Sequence, residues 1–189
     1  MPQDKKTKTI FLIKPNDPNA DDVEVSAGGV ILYRIKDGEL QLLLMTNRGK
    51  LEDLGGTSEK KDKDIFHTVA REVSEESNRL IDKKSILNRI RNSEYILSRT
   101  SKYIIFIIKA NDDESKLNSE QFGDREIHDD IPRTIDWVPA SEFLKSETIK
   151  NKLNFRLKNR NVFEYIKKLD PTYKPDQDGS GSKNIVYLF

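Results

Sequence analysis

The glycine pair Gly55-Gly56, followed after a polar loop by a helix carrying Glu72, Glu75 and Glu76, constrains this chain more than any other segment. Paired glycines let the main chain pass close to a neighbouring element. In Arg71-Glu72-Val73-Ser74-Glu75-Glu76 the chain turns by about 100° per residue, so the three glutamates share roughly one third of the helix circumference. Like charges at i,i+4 cost a few tenths of a kcal/mol, so stability alone does not favour the arrangement. A hard divalent cation does, because Mg²⁺ takes oxygen ligands and shares them with phosphate. Ile65, Val69 and Val73 form an i, i+4, i+8 stripe that docks the helix, with Phe66 and Ala70 flanking it. That places the glutamates at the rim of a core. Arg71, beside Glu72 and four residues before Glu75, is set to pair with a carboxylate. The glycine pair can bring a main-chain oxygen within ligand reach.

The rest of the chain supplies strands and helices in an order that excludes a doubly wound parallel sheet. Thr9 to Lys14, Val23 to Arg34, Leu40 to Thr46, Ser93 to Leu97, Lys102 to Ala110 and Thr134 to Pro139 read as strands. Lys36-Asp37-Gly38 marks a hairpin. Asp62 to Arg79 reads as the central helix, a short helix begins at Ser141, and a longer one covers Leu153 to Leu169. The pattern is that of an α/β sandwich with a mixed sheet. Residues 1–20 form an extension, 21–169 the domain, and 170–189 a tail of flexible composition around Gly179-Ser180-Gly181-Ser182. The tail closes on apolar Ile185 to Phe189, suited to adding a strand or docking on a partner. Residues 111–131 are a long polar loop with eight acidic residues.

Composition narrows the chemistry. With 33 basic and 32 acidic residues the net charge is +1, so bulk charge marks neither a polyanion binder nor an acidic tail. There is no cysteine, which removes disulfides, thiol catalysis and thiolate metal sites. No apolar run approaches the roughly 20 residues of a membrane span, and Met1 to Lys6 lacks the apolar core of a signal peptide. The expectation is a soluble cytoplasmic protein that does not enter a membrane.

Arg71-Glu72-Val73-x-Glu75-Glu76 after a glycine pair resembles the signature of the Nudix hydrolases. Ser26-Ala27-Gly28-Gly29-Val30-Ile31 resembles the family's opening strand. Leu43-Leu44-Met45 and Leu54-Gly55-Gly56 resemble its approach to the motif, and Trp137 to Leu144 its closing strand-to-helix segment. The Glu-Asp-Leu-Gly-Gly form of the approach is similar to viral or AT-rich-genome members. The family pattern runs Gly, five residues, Glu, seven residues, Arg-Glu-apolar-x-Glu-Glu-x-Gly. Here fourteen residues rather than thirteen separate Gly56 from Arg71, Asp62 or Asp64 stands near the place of the first glutamate, and Asn78 replaces the last glycine.

The resemblance implies a Mg²⁺- or Mn²⁺-dependent hydrolase of nucleoside diphosphates linked to another moiety. Glu72, Glu76 and Glu75 would hold the metal with the Gly56 main chain, Glu75 also serving as a water-orienting base, and Arg71 would fix their rotamers. Many members draw a further acid from a distant loop, and Glu126 is the candidate, with Glu120 and Asp124 behind it. Arg125 and Arg133 are candidates for neutralising phosphate. Residues 147–169 carry seven basic residues against two acidic, so Lys150 and Arg156 are candidate contacts to a polyanionic substrate or RNA. Within the enzyme class, capped RNA and diphosphoinositol polyphosphates stand beside small nucleotides. A homodimer is a further expectation, since family members are often dimers. The other class is a catalytically silent module that binds nucleotide or RNA. His128 and Trp137 are read as surface and core residues, and His67 as structural.

Overall fold

The computed structural model describes residues 8–15, 19–171 and the backbone of 187–188. Strict alternation in the central strands decides its architecture. The elements are β1 (Phe11–Ile13), β2 (Val23–Val25), β3 (Ala27–Lys36), β4 (Glu39–Asn47), β5 (Lys50–Glu52), β6 (Leu54–Thr57), α1 (Ile65–Glu76), α2 (Lys83–Ile90), β7 (Tyr95–Ser98) and β8 (Tyr103–Lys109). They continue with α3 (Ser119–Phe122), β9 (Arg125–Glu126), β10 (Ile131–Pro132), β11 (Thr134–Pro139), α4 (Ala140–Lys145), α5 (Glu147–Lys152), α6 (Arg160–Leu169) and β12 (Tyr187–Leu188). On one face of the main sheet, Val30, Leu32, Leu43, Met45, Ile104 and Phe106 pack with Ile65, Val69, Ala70 and Val73 of α1 and Ile86 and Ile90 of α2. On the other face, Ile31, Leu42, Leu44, Ile105 and Ile107 pack with Phe143, Leu153, Leu157, Val162 and Ile166. The expected α/β sandwich, helices on both faces of a mixed sheet, is borne out.

The sheet order is β11-β4-β3-β8-β7-β12. The β3–β8 and β7–β12 pairs are parallel, and the others antiparallel. β3 and β4 form a hairpin from Leu32↔Leu43 to Lys36↔Glu39, then diverge. The opening is filled by β5, which pairs with β4, and β6, which pairs with β3 from Ala27↔Thr57 to Val30↔Leu54. The wedge delivers Gly55-Gly56 to the centre of the sheet under α1. Burying each aliphatic side chain of α1 contributes roughly 1.5–3 kcal/mol, against the few tenths lost to each like-charge pair. The core therefore fixes the helix and the glutamates go where it carries them.

Several boundaries differ from expectation. Val23 to Arg34 is two strands, broken where the amides of Ser26 and Ala27 both turn to the Lys102 carbonyl, at 2.8 and 3.3 Å. The segment 111–131 is structured: a 3₁₀ turn at Glu114–Lys116, α3 under an Asn118–Gln121 capping box, and the β9–β10 hairpin. The expected helix over Leu153 to Leu169 is a 3₁₀ turn, Phe155–Lys158, followed by α6; Asn154 and Asn159 cap the two with their side chains and hold extended backbone between them. Of the tail, the backbone of Tyr187–Leu188 pairs with Ile96 and Leu97; Met1 to Thr7 and residues 172–186 lie outside the described residues. No helix among the described residues is long and apolar enough to cross a membrane.

Candidate metal centre

The site is organised by Arg71, which is 4% exposed and directs its guanidinium at five acceptor oxygens. Its Nε and Nη2 donate to the two carboxylate oxygens of Asp62 at 3.1 and 2.9 Å. Nη1 donates to Glu72 Oε1 and Glu75 Oε2, both at 2.9 Å, and Nη2 also reaches the Thr57 carbonyl at 3.0 Å. A planar fork with charged acceptors at each end fixes rotamers on both sides. Asp62 and Asp64, both near the place of the pattern's first acid, do different work. Asp62 takes the arginine fork, the Glu59 amide at 2.9 Å and the Thr68 hydroxyl at 3.0 Å. Asp64 is the N-cap of α1, accepting from the His67 amide at 2.8 Å and from Arg91 at 2.9 Å. These bonds hold both aspartates below the usual carboxylate range in spite of burial. His67 completes the cap, its Nδ1 at 2.7 Å from Asp64 Oδ1.

Glu72 and Glu76 occupy the inner side of the helix. A Cβ added to Gly56 would lie 2.5 Å from the Glu72 carboxylate, so glycine leaves that carboxylate the place it takes and a larger residue would move it. Glu76 Oε2 accepts the Gly55 amide at 2.7 Å. Burial, ahead of the opposing pull of Arg71, pushes Glu72 up to about 7. Burial also pushes Glu76 well above the usual range, and repulsion from Glu72, Asp53 and Glu126 adds to it. Among the described residues no cationic side chain pairs with the Glu76 carboxylate. Burial of carboxylates that repel one another, with an oxygen cradle left by glycine, fits a divalent cation held by Glu72, Glu76 and the Gly56 main chain.

Glu126 stands on β9, within electrostatic reach of the helix glutamates. It is 8% exposed, and among the described residues its carboxylate accepts no hydrogen bond and joins no ion pair. Burial raises its pKa, and Asp129 and Glu75 push in the same direction. Its field in turn reaches Glu72 and Glu76. Glu126, His128 and Asp129 each bring one potential ligand atom within 4.8 Å of the others; His128 and Asp129 are exposed and paired at 2.9 Å. A cavity of about 260 Å³ opens beside Glu75, lined by Asn78, Arg79, Ile127 and His128.

The expected cationic residues are placed differently from one another. Arg133 is buried at the back of the site and directed at main-chain carbonyls: Phe122 at 3.0, Gly123 at 2.7 and Glu76 at 2.7 Å. The exposed Arg125 pairs with Asp130 at 2.9 Å. Lys150 pairs with Glu147 on α5, in the layer on the far face of the sheet from α1. Arg156 lies over the Tyr103 ring at 4.4 Å, its Nη2 3.6 Å from Glu52 and 3.7 Å from the fully buried Asp53. Trp137 is buried as expected, its Nε1 donating to the Leu117 carbonyl and Arg34 stacked on its ring. Glu120 lies exposed on α3. The sequence reading did not single out Arg79, an exposed cation on the cavity, and it credited Asn78 only with a turn. A basic residue directly after the left-handed residue that ends the motif was the available signal.

No protein-family model matches the chain, and no curated protein matches it. Similar solved structures include a C. elegans Ap4A hydrolase binary complex, at 16% identity and a TM-score of 0.45 over 77% of this chain and 94% of that one. They also include Shewanella oneidensis NrtR alone, at 17% identity and a TM-score of 0.41 over 76% of this chain and 62% of that one. The same protein complexed with a 27mer DNA matches at 15% identity and a TM-score of 0.42 over 76% and 61%. The chain thus spans about three fifths of the NrtR chains it matches. At these identities and TM-scores the likeness says nothing about chemistry, which the side chains must supply.

Proposed function

We propose that this chain is a Nudix-type, divalent-metal-dependent hydrolase that cleaves the pyrophosphate linkage of a nucleoside diphosphate joined to another moiety. One observation carries the reading: Glu76 is buried and makes no salt bridge among the described residues, Arg133 and Arg156 attracting it only from longer range, while Glu72, Asp53 and Glu126 all repel it. A folded chain gains nothing from that arrangement unless something positive enters it.

Glu72 and Glu76 are the principal ligands, with the Gly56 main chain, and Glu126 completes the set from the opposite wall. A Mg²⁺ or Mn²⁺ ion held by these residues would supply positive charge to the phosphates and would make water nucleophilic at neutral pH. Glu75, its Oε2 held by Arg71 at 2.9 Å, is positioned to take the proton of the attacking water as the water oxygen bonds to phosphorus and the bridging P–O bond breaks. Arg79, exposed on the cavity beside Glu75, is the cation best placed to neutralise a phosphate at that rim. Arg125, Lys150 and Arg156, each beside a carboxylate of its own, are weaker candidates.

The test is turnover of a panel with Mg²⁺ or Mn²⁺, comparing the native chain with Glu76→Gln. The panel holds nucleoside triphosphates, ADP-ribose, dinucleoside polyphosphates, capped RNA and a diphosphoinositol polyphosphate. Release of phosphorylated products from at least one member, lost in the variant, is the expected result. No turnover of any member, with metal binding absent too, would point instead to a silent nucleotide- or RNA-binding module.

A further inference from the structure

Asn78 stands where the family pattern ends in glycine, and it does more than turn the chain. Its φ of 53° and that of Arg79 at 65° carry the chain out of α1 through left-handed backbone. The Asn78 amide bonds to the Glu75 carbonyl at 3.0 Å and the Arg79 amide to the Ser74 carbonyl at 2.7 Å, the paired bonds of a Schellman ending. Glycine would serve that turn equally well. What glycine cannot supply is the side chain. Asn78 Nδ2 donates to the Phe122 carbonyl at 3.0 Å and the Arg125 carbonyl at 2.9 Å, and Oδ1 accepts from the Ile127 amide at 2.9 Å. Two of these three partners flank Glu126 directly. Arg133 makes a second tie from the end of α1, joining the Glu76 carbonyl to those of Phe122 and Gly123, just ahead of β9.

We propose that Asn78 is a positioning residue that clasps the β9 segment to the C-terminal end of α1 and so aims the Glu126 carboxylate at the helix glutamates. The inference rests on the metal-centre reading above. Left to itself, a buried carboxylate without a hydrogen bond, facing Glu72, Glu75 and Glu76, would swing outward into water. Its place near the other acids is therefore held by its neighbours' main chain: pairing with β10 makes a hairpin of β9, and the side-chain contacts that tie that segment to the end of α1 are the asparagine amide and the Arg133 guanidinium. Because the Asn78 side chain spans from one end of the metal helix to both sides of Glu126, moving β9 and losing Glu126 from the site are the same event.

The experiment is a double-mutant cycle read on Mn²⁺ alone, with affinity measured by electron paramagnetic resonance on Asn78→Gly, Glu126→Gln, the double variant and Glu76→Gln. Glycine keeps the left-handed turn, and a melting curve for each variant checks that the fold is retained. The expected result is that Asn78→Gly and Glu126→Gln each weaken Mn²⁺ binding about 10-fold or more, as loss of a supporting partner typically does. The double variant should bind no more weakly than Glu126→Gln, because the asparagine acts through the glutamate. Asn78→Asp, which turns a carboxylate oxygen onto the Phe122 and Arg125 carbonyls in place of the two donors, should bind Mn²⁺ at least as weakly as Asn78→Gly. Additive losses, an Asn78→Gly variant that binds Mn²⁺ as the native chain does, or a Glu126→Gln variant that does so would each overturn the clasp. Native-like binding by Glu76→Gln would instead overturn the metal-centre reading itself.

Discussion

Arg71 and Glu76 are opposite solutions to the burial of charge. Arg71 is surrounded by Asp62, Glu72 and Glu75, and these bonds hold its guanidinium charged in spite of burial. Glu76 has one main-chain hydrogen bond and three repelling neighbours. Glu72 lies between them, paired with Arg71 yet raised to about 7 by burial. The consequence for pH has a definite sign. A glutamate near the usual 4.5 when unfolded and near 7 when folded holds its proton more tightly in the native state. Its stabilising contribution is full below 4.5 and is lost as pH rises through about 7. Glu76 acts in the same direction, whereas the lowered Asp62 and Asp64 exert their effect only in more acid solution. In a chelator, urea unfolding midpoints should therefore fall between about pH 5 and about pH 7.5, and Glu72→Gln should flatten the decline. A native profile that rises across that window, or a variant with the native slope, would contradict the assignment.

At the scale of elements, what brings the site together is a close approach of β6 to α1. Gly56 faces the Glu72 carboxylate with no room for a Cβ, so Gly56→Ala should push that side chain out of the cradle. Because the strand pairing of Gly56 with Gly28 is main-chain only, the expected outcome is weakened Mn²⁺ binding, by about 10-fold or more, in a protein that still folds cooperatively. Calorimetric titration beside a melting curve checks it; native affinity in a folded variant would show that Glu72 does not need the space. The motif made this junction legible: the glycine pair, the i, i+4, i+8 stripe and the glutamate spacing are local features that tertiary context did not override. The β5–β6 wedge was not read as strands, since three- and four-residue segments leave no periodicity to detect. The helix at Lys83–Ile90 was missed as well, although Asp82 caps it and Ile86 and Ile90 are spaced to share its buried side. The segment 111–131 read as a loop because its order comes from capping side chains and short pairings, not from apolar pattern. Glu126 could be nominated from sequence, but its partner could not: the Asn78 amide meets residues 44 to 49 positions away.

Across the whole molecule, the glycine pairs of β3 and β6 lie between the α1 face of the sheet and the opposite one. Glycines at 28, 29, 55 and 56 pair across β3 and β6. Beneath them Tyr103 donates to Asp53 Oδ2 at 2.7 Å, with Arg156 from the far layer laid over its ring. A Cβ on Gly55 would meet the Tyr103 hydroxyl at 2.8 Å, while the Gly55 amide holds Glu76 on the other side. Arg71 pairs with Glu72 and Glu75 and Arg156 approaches Asp53, while among the described residues Glu76 and Glu126 lie in the same region with no ion-pair partner. The most direct measurement of that unpaired charge is a Mn²⁺ titration of the native chain against Glu76→Gln, followed by heat and by melting temperature at neutral pH. A saturable native response with a rise in melting temperature, lost or sharply weakened in the variant, is the predicted result. Equal affinity and equal stabilisation in both would place the cation elsewhere and contradict the account.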